Sequence, residues 1–199
     1  MKKFIFTTIL LSLVTACNVD DVESDLIPVS GEEVVATNTV CIPDANNPPS
    51  VLGNIYLRTS FIIETPVDGN GDGNFSTDLE EEYSCSADPI VFRNDFVANN
   101  PVYNNVMLTV NNDSNGMLSQ EIGCLIGDGL FPNYTQEANI LRFCYNGEIA
   151  YTGTLSNNEQ TLTFVFPYEE IFFGTNEILN VDGSIEPYQG NVTLIYTRQ

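Results

Sequence analysis

The 199-residue chain contains no histidine and no tryptophan, and only six of its residues are Lys or Arg. Without histidine there is no Ser-His-Asp or Cys-His catalytic arrangement and no imidazole to ligate a metal. Without tryptophan the flat platform on which sugars stack is missing, and the nine tyrosines replace it only in part. Two of the six basic residues are Lys2 and Lys3, so beyond Ala16 four arginines (Arg58, Arg93, Arg142 and Arg198) stand against all 27 Asp and Glu. A surface this negative repels nucleic acid and anionic membranes, and no basic patch offsets it. The same charge suits solubility outside the cell and an attraction for cations. The uncharged run from Phe4 to Val14 is about half the ~20 residues that a bilayer-spanning helix requires.

That run follows Lys2 and Lys3 and leads through Val14, Thr15 and Ala16 into Cys17. A basic start, a short apolar stretch and a small-residue cleavage site make a removable signal, residues 1–16. Val14-Thr15-Ala16-Cys17 resembles the lipobox of bacterial lipoproteins. The resemblance implies cleavage before Cys17 and acylation of that cysteine, hence a protein tied to a membrane through lipid. Residues 17–50 are polar and acidic, with Asp20, Asp21, Glu23 and Asp25 near the start and Pro48 and Pro49 near the end. They read as a tether. The early acids resemble the export signal that carries some Gram-negative lipoproteins to the outer face of the outer membrane. A solvated acidic linker is the alternative.

In an oxidising compartment Cys41, Cys85, Cys124 and Cys144 read as two disulfides, with three connectivities open. Their spacings match no zinc pattern.

From Leu52 the apolar residues alternate. Ile55, Leu57, Thr59, Phe61 and Ile63 fall on one face of a strand, with Tyr56, Arg58, Ser60 and Glu64 on the other. Val106-Leu108-Val110, Leu141-Phe143-Tyr145, Ile149-Tyr151-Leu155, Leu162-Phe164-Phe166 and Val192-Leu194-Tyr196 repeat the pattern. Asn146-Gly147, between two of these runs, supplies the two positive-φ positions of a tight hairpin. Short strands and tight turns predict an all-β domain over residues 51–199, an antiparallel meander barrel or a β-sandwich. One short helix is expected where Thr77 and Glu80 form a capping box and Asp78 adds charge to the first turn. The long connection from Pro167 to Gly190 is a lid or hides a short helix or hairpin.

The sharpest chemical signal is Asp68-Gly69-Asn70-Gly71-Asp72-Gly73-Asn74-Phe75-Ser76. Oxygen-bearing side chains at positions 1, 3 and 5 and a glycine at 6 let a short loop wrap hard oxygens around Ca²⁺. The loop resembles those of EF-hands and dockerin repeats. That resemblance makes Asp68, Asn70 and Asp72 side-chain ligands, Asn74 a backbone ligand and Ser76 a direct or water-bridged one. Position 12, the bidentate acid of those families, is Leu79 here, so the closing ligand falls to Asp78 or Glu80. A solvated glycine-rich connection is the alternative reading. From Asp68 to Phe92, the glycine-rich acidic loop, a Glu cluster, Cys85 and Ile90-Val91-Phe92 resemble lipocalin-like domains of bacterial surface lipoproteins, which implies an up-and-down barrel. Where lipocalins carry Gly-X-Trp, this chain has Gly53-Asn54-Ile55, so Arg198 has no tryptophan to cover.

The leading functional expectation is a non-enzymatic, lipid-anchored module that holds a small apolar or amphipathic ligand outside the cytoplasm, at the outer membrane and facing the exterior. The alternative is a surface structural or interaction protein that meets a partner protein. A carboxylate-dependent glycan hydrolase ranks third, because no acid pair stands out from the many that solvate the surface. Stable membrane residence requires more than one acyl chain. Cys17→Ala is therefore expected to move the protein from the membrane fraction to the soluble fraction. Unchanged membrane retention in a fractionation assay refutes the lipobox reading.

Overall fold

The structure is a computed structural model that describes residues 39–83, 88–99, 105–125, 131–174 and 176–199. Cys17 and Cys85, the signal segment and the first part of the expected tether lie outside these residues. The described chain is all-β with antiparallel pairing throughout its strands and two single-turn helices. No helix among the described residues is long and apolar enough to cross a membrane.

The main sheet is built from β1 (Ile55–Val67), β2 (Ser76–Asp78), β3 (Ile90–Val91), β6 (Asn133–Glu137), β7 (Ile140–Tyr145), β8 (Glu148–Ser156), β9 (Thr161–Pro167) and β12 (Asn191–Arg198). Its order is β2-β1-β12-β9-β8-β7-β6, with β3 also paired to β1. Consecutive strands from β6 to β9 are neighbours, as tight turns require. At Asn146-Gly147 both residues have positive φ (52° and 83°), the expected two-residue hairpin. Beyond β3, a turn carries Phe92 back to Ala98, and Val97 bridges to Asn133 of β6. Tyr134 donates its backbone N–H to Phe96 at 3.0 Å, and Ala98 donates to Pro132 at 3.0 Å. A chain of hydrogen bonds therefore runs from β1 through β3 and this turn to β6.

A second layer consists of the hairpin β4 (Asn105–Asn112) and β5 (Leu118–Leu125), and the hairpin β10 (Glu177–Leu179) and β11 (Ile185–Pro187). The Pro167–Gly190 connection thus contains both a helix, α2 (Tyr168–Ile171), and a hairpin. Phe173 donates to the Val106 carbonyl at 2.9 Å and ties β4 to the end of α2.

Aromatic rings form a connected set among the inward aliphatic side chains. Phe143 stacks on Tyr151 with centroids 4.7 Å apart, Phe92 meets Tyr134 edge-on at 4.8 Å, and Phe164 contacts Phe143, Tyr151, Phe166 and Tyr196. Gly153 accommodates this packing. A β-carbon there would lie 2.7 Å from the Phe164 ring, so the ring occupies the volume a side chain would need. Tyrosine suits such an interior because its hydroxyl can reach backbone at the edge. Tyr56 donates to the Glu159 carbonyl at 2.7 Å, Tyr134 to Arg93 at 2.9 Å and Tyr188 to Asn191 at 2.6 Å.

Four expectations require correction. Tyr145 and Ile149, placed on the inward faces by the alternation, are exposed beside a register shift between β7 and β8. The face assignment of β1 holds only beyond a bulge between Arg58 and Ser60. Phe61, Ile63 and Val67 point inward, but before the bulge Tyr56 and Arg58 are inside while Ile55 and Leu57 are exposed. An extra residue in one strand of a period-2 ladder exchanges the two faces. The short helix is α1 (Leu79–Glu82), and its cap is Asp78 rather than Thr77, because the Asp78 carboxylate accepts the Glu80 N–H. Residues 39–50, expected in the tether, pack on the sheet. Cys41 is disulfide-bonded to Cys144, with α-carbons 5.7 Å apart, and Thr135 donates to the Val40 carbonyl at 2.9 Å. Cys124 is also disulfide-bonded.

Truncating Phe164 to alanine is expected to cost about 3–5 kcal/mol, because the void falls amid rings that cannot collapse into it. Urea denaturation should show this as a lower midpoint with unchanged slope. A loss below about 1 kcal/mol would contradict a packed interior.

Candidate functional site

The acidic loop runs from the end of β1 to β2 and is held by α1. Arg58 starts this arrangement. Its side chain is 1% exposed, its guanidinium forms an ion pair with Glu80 and donates to the Tyr83 hydroxyl, and it lies 5.2 Å from the centre of the Phe61 ring. The Tyr196 hydroxyl faces the same cation without a hydrogen bond of good geometry. A guanidinium survives burial here because a carboxylate, a phenol and two ring faces replace water. The pair fixes α1 against β1, and Asp78 reinforces it by accepting the Phe61 N–H at 2.9 Å.

From α1, Glu82 points back at the loop. It is 4% exposed, and its carboxylate accepts the N–H of Gly69 at 2.9 Å and of Asn70 at 3.4 Å. Inside the loop, Asp68 accepts from the N–H groups of Asp72 and Gly73, Asn70 from Asp72, and Asp72 from Asn74. Ser76 donates its hydroxyl to Glu81 at 2.9 Å. Gly71 and Gly73 have positive φ, the reason for glycine at these positions. Backbone hydrogen bonds hold the Asp72 carboxyl below the usual carboxylate range, so it stays charged at neutral pH.

Of the seven expected calcium ligands, Asp68, Asn70, Asp72, Asn74 and Ser76 share this loop. Asp78 and Glu80 are engaged elsewhere, as helix cap and as Arg58 partner. The acids that reach the loop are Glu81 and Glu82, which the twelve-residue pattern did not single out. Their only sequence signal is the run Glu80-Glu81-Glu82. Among the described residues no three Asp, Glu or Cys side chains converge in a metal-binding arrangement.

Against the loop lies a groove of about 220 Å³, lined by Asp68, Gly71 and Phe75 on one side and by Met117, Leu118, Ser119, Gln120 and Leu179 on the other. The buried Gln120 amide sets its floor by donating to the Thr109 and Glu177 carbonyls and accepting from the Leu179 N–H. Sequence reasoning missed this groove because its walls come from three distant segments. A second cavity of about 210 Å³ lies outside β6 and β7, between Ile42, Pro43, Gln136 and Arg142.

Burial raises the Tyr134 phenol to about 12 and pushes Tyr83 and Tyr196 higher still. All three are neutral in folded and unfolded chains below about pH 10, so their contribution to stability is complete there. It is lost as pH rises through about 12, because the unfolded chain releases these protons first. In an alkaline titration the phenolate absorbance of these tyrosines is expected to appear only together with loss of sheet circular dichroism. Ionisation of all nine tyrosines near pH 10 with the sheet intact would contradict this burial. No protein-family model, curated protein or solved structure matches the chain.

Proposed function

We propose that this chain is a lipid-anchored, non-enzymatic binding module displayed outside the cytoplasm, and that it binds with its surface rather than its interior. The observation that carries this reading is the packing of the aromatic side chains between the strands, where Phe164 alone contacts four other rings. A sheet of this size has room for side chains or for one small ligand, and here side chains take it. The hydrogen bonds that link β3, the turn at Phe92–Ala98 and β6 support a closed, lipocalin-like barrel over the alternative sandwich. The apolar or amphipathic ligand expected from the sequence is accordingly assigned to the groove beside the acidic loop. The disulfide at Cys41, which pins the chain to the sheet, supports an oxidising compartment.

In the same reading the acidic loop holds a calcium ion that stiffens one wall of the groove. The donor chemistry fits a hard cation: Asp68, Asn70 and Asp72 supply side-chain oxygens, Asn74 a carbonyl and Ser76 a hydroxyl. Glu82 closes the set in place of Asp78 or Glu80, since a buried carboxylate bonded to the loop backbone is already positioned there. The ion has a structural role.

Native mass spectrometry of protein extracted from its own host membranes, without chelator, tests this. The expected species begins at acylated Cys17, carries one calcium removed by chelation and absent from Asp72→Ala, and retains a noncovalent companion. An unacylated, metal-free chain without a companion would overturn the proposal.

A further inference from the structure

The groove beside the acidic loop is small, has Phe75, Met117, Leu118 and Leu179 on its walls, and is flanked by negative charge. Its volume of about 220 Å³ lies below the ~300–1,000 Å³ typical of sites that enclose a whole small molecule. It suits one large apolar side chain. Phe75, Leu118 and Leu179 provide the apolar contact, and Met117, 69% exposed, is a flexible thioether at the rim that can close over an inserted group. The floor is pinned by the three Gln120 hydrogen bonds, so little ordering is required on binding.

The rim has one sign. Asp68 lines the groove, Asp72 follows Gly71 in the same loop, and Asp113 accepts the Met117 N–H at 2.8 Å. Backbone N–H groups of its own turn hold the Asp113 carboxyl below its ordinary range, so it remains ionised. None of the four arginines lines the groove. Arg58 pairs with Glu80, Arg93 with Asp95 and Arg142 with Glu137, and Arg198 ends β12. The three loop carboxylates Asp68, Asp72 and Glu82 outnumber the two charges of a bound calcium ion, so this rim stays negative with the ion in place, and Asp113 adds to it.

The geometry points to a basic peptide segment of a partner protein as the occupant, with one Leu-, Met- or Phe-type side chain seated between Phe75, Met117 and Leu179 and flanking Lys or Arg residues over Asp113 and the net-negative acidic loop. This inference rests on the surface-binding reading above and specifies the chemistry of the partner. Size selects a single anchoring side chain, and charge selects its neighbours. An acidic segment would be repelled by this rim, and a neutral one would gain nothing from it.

Fluorescence anisotropy with the full mature chain in millimolar calcium tests it, using a labelled Gly-Lys-Lys-Leu-Lys-Lys-Gly peptide as probe. Binding is expected to weaken with added salt and to fall by about tenfold or more when serine replaces the leucine of the probe, the loss expected for one buried aliphatic side chain. Met117→Lys, at an exposed position, should lower affinity by at least that factor with an unchanged melting temperature. Asp113→Asn keeps the turn acceptor, removes one charge and should weaken binding with a shallower salt dependence. Equal binding of the serine peptide, or full affinity in Met117→Lys, would show non-specific attraction to an acidic surface and overturn the inference. Binding of dodecylamine in the groove with none of the peptide would also overturn it. Either failure leaves the broader proposal standing, because a companion recovered by native mass spectrometry does not depend on this probe.

Discussion

The arrangement of the site depends on one buried cation. Arg58 enters the interior from β1 because a bulge follows it, and it is neutralised there by Glu80 and the Tyr83 hydroxyl. Removing one partner from such a pair typically costs about 3–5 kcal/mol, whereas replacing both by well-packed apolar groups can be neutral. The pair is therefore better understood as a positioning device than as a source of stability. It seats α1 on β1, α1 turns Glu82 toward the loop, and Glu82 holds the N–H groups of Gly69 and Asn70. Each step passes geometry from the sheet to the acidic loop. The loop in turn is packed close to the second layer: a β-carbon at Gly69 would lie 2.3 Å from Ile122, so loop and hairpin meet with no space to spare.

The absence of tryptophan and the abundance of tyrosine have a common consequence. A ring-filled interior needs large apolar volume, and tyrosine supplies it while its hydroxyl reaches a carbonyl at the edge, as Tyr56, Tyr134 and Tyr188 do. Rings in edge and stacked contact leave the interior to the protein itself. Recognition, on the proposed reading, passes to the second layer, whose hairpins carry the exposed Met117, Val181 and Ile185. Acidic turns accompany these side chains. Asp113 and Asp182 are both held below the normal carboxylate range by hydrogen bonds from their own turns, so apolar contact and negative charge occur side by side.

Much of the sheet was legible because its inward residues keep period two without interruption. Leu162-Phe164-Phe166 and Val192-Leu194-Tyr196 are buried as the alternation implies, and Asn146-Gly147 turns as its residues demand. The pattern misled where a bulge intervened. Ile55, Leu57 and Ile149 are apolar yet exposed, since an extra residue in β1 and another in β8 reverse the faces nearby. β6 was invisible because Tyr134 is its one buried residue and the remainder of Asn-Tyr-Thr-Gln-Glu is polar. Within the site, Asp68 to Ser76 could be read as an oxygen-rich loop. Glu82 could not be singled out, because three adjacent glutamates are equivalent in sequence and differ only in the direction each takes from the helix.

Composition and periodicity by themselves determined the all-β class, the exclusion of histidine chemistry, the tight hairpins and the turn-forming acidic loop. These properties follow from local conformational preference, from charge and from residue chemistry, none of which requires knowing what lies opposite. Tertiary structure alone decided the pairing of Cys41 with Cys144, the burial of Arg58 against Glu80, the choice of Glu82 over its neighbours and the groove formed by Asp68, Met117 and Leu179. Each depends on residues far apart in the chain being brought within a few ångströms, and that proximity is set by register and bulges, whose displacement by one residue turns every side chain to the other face.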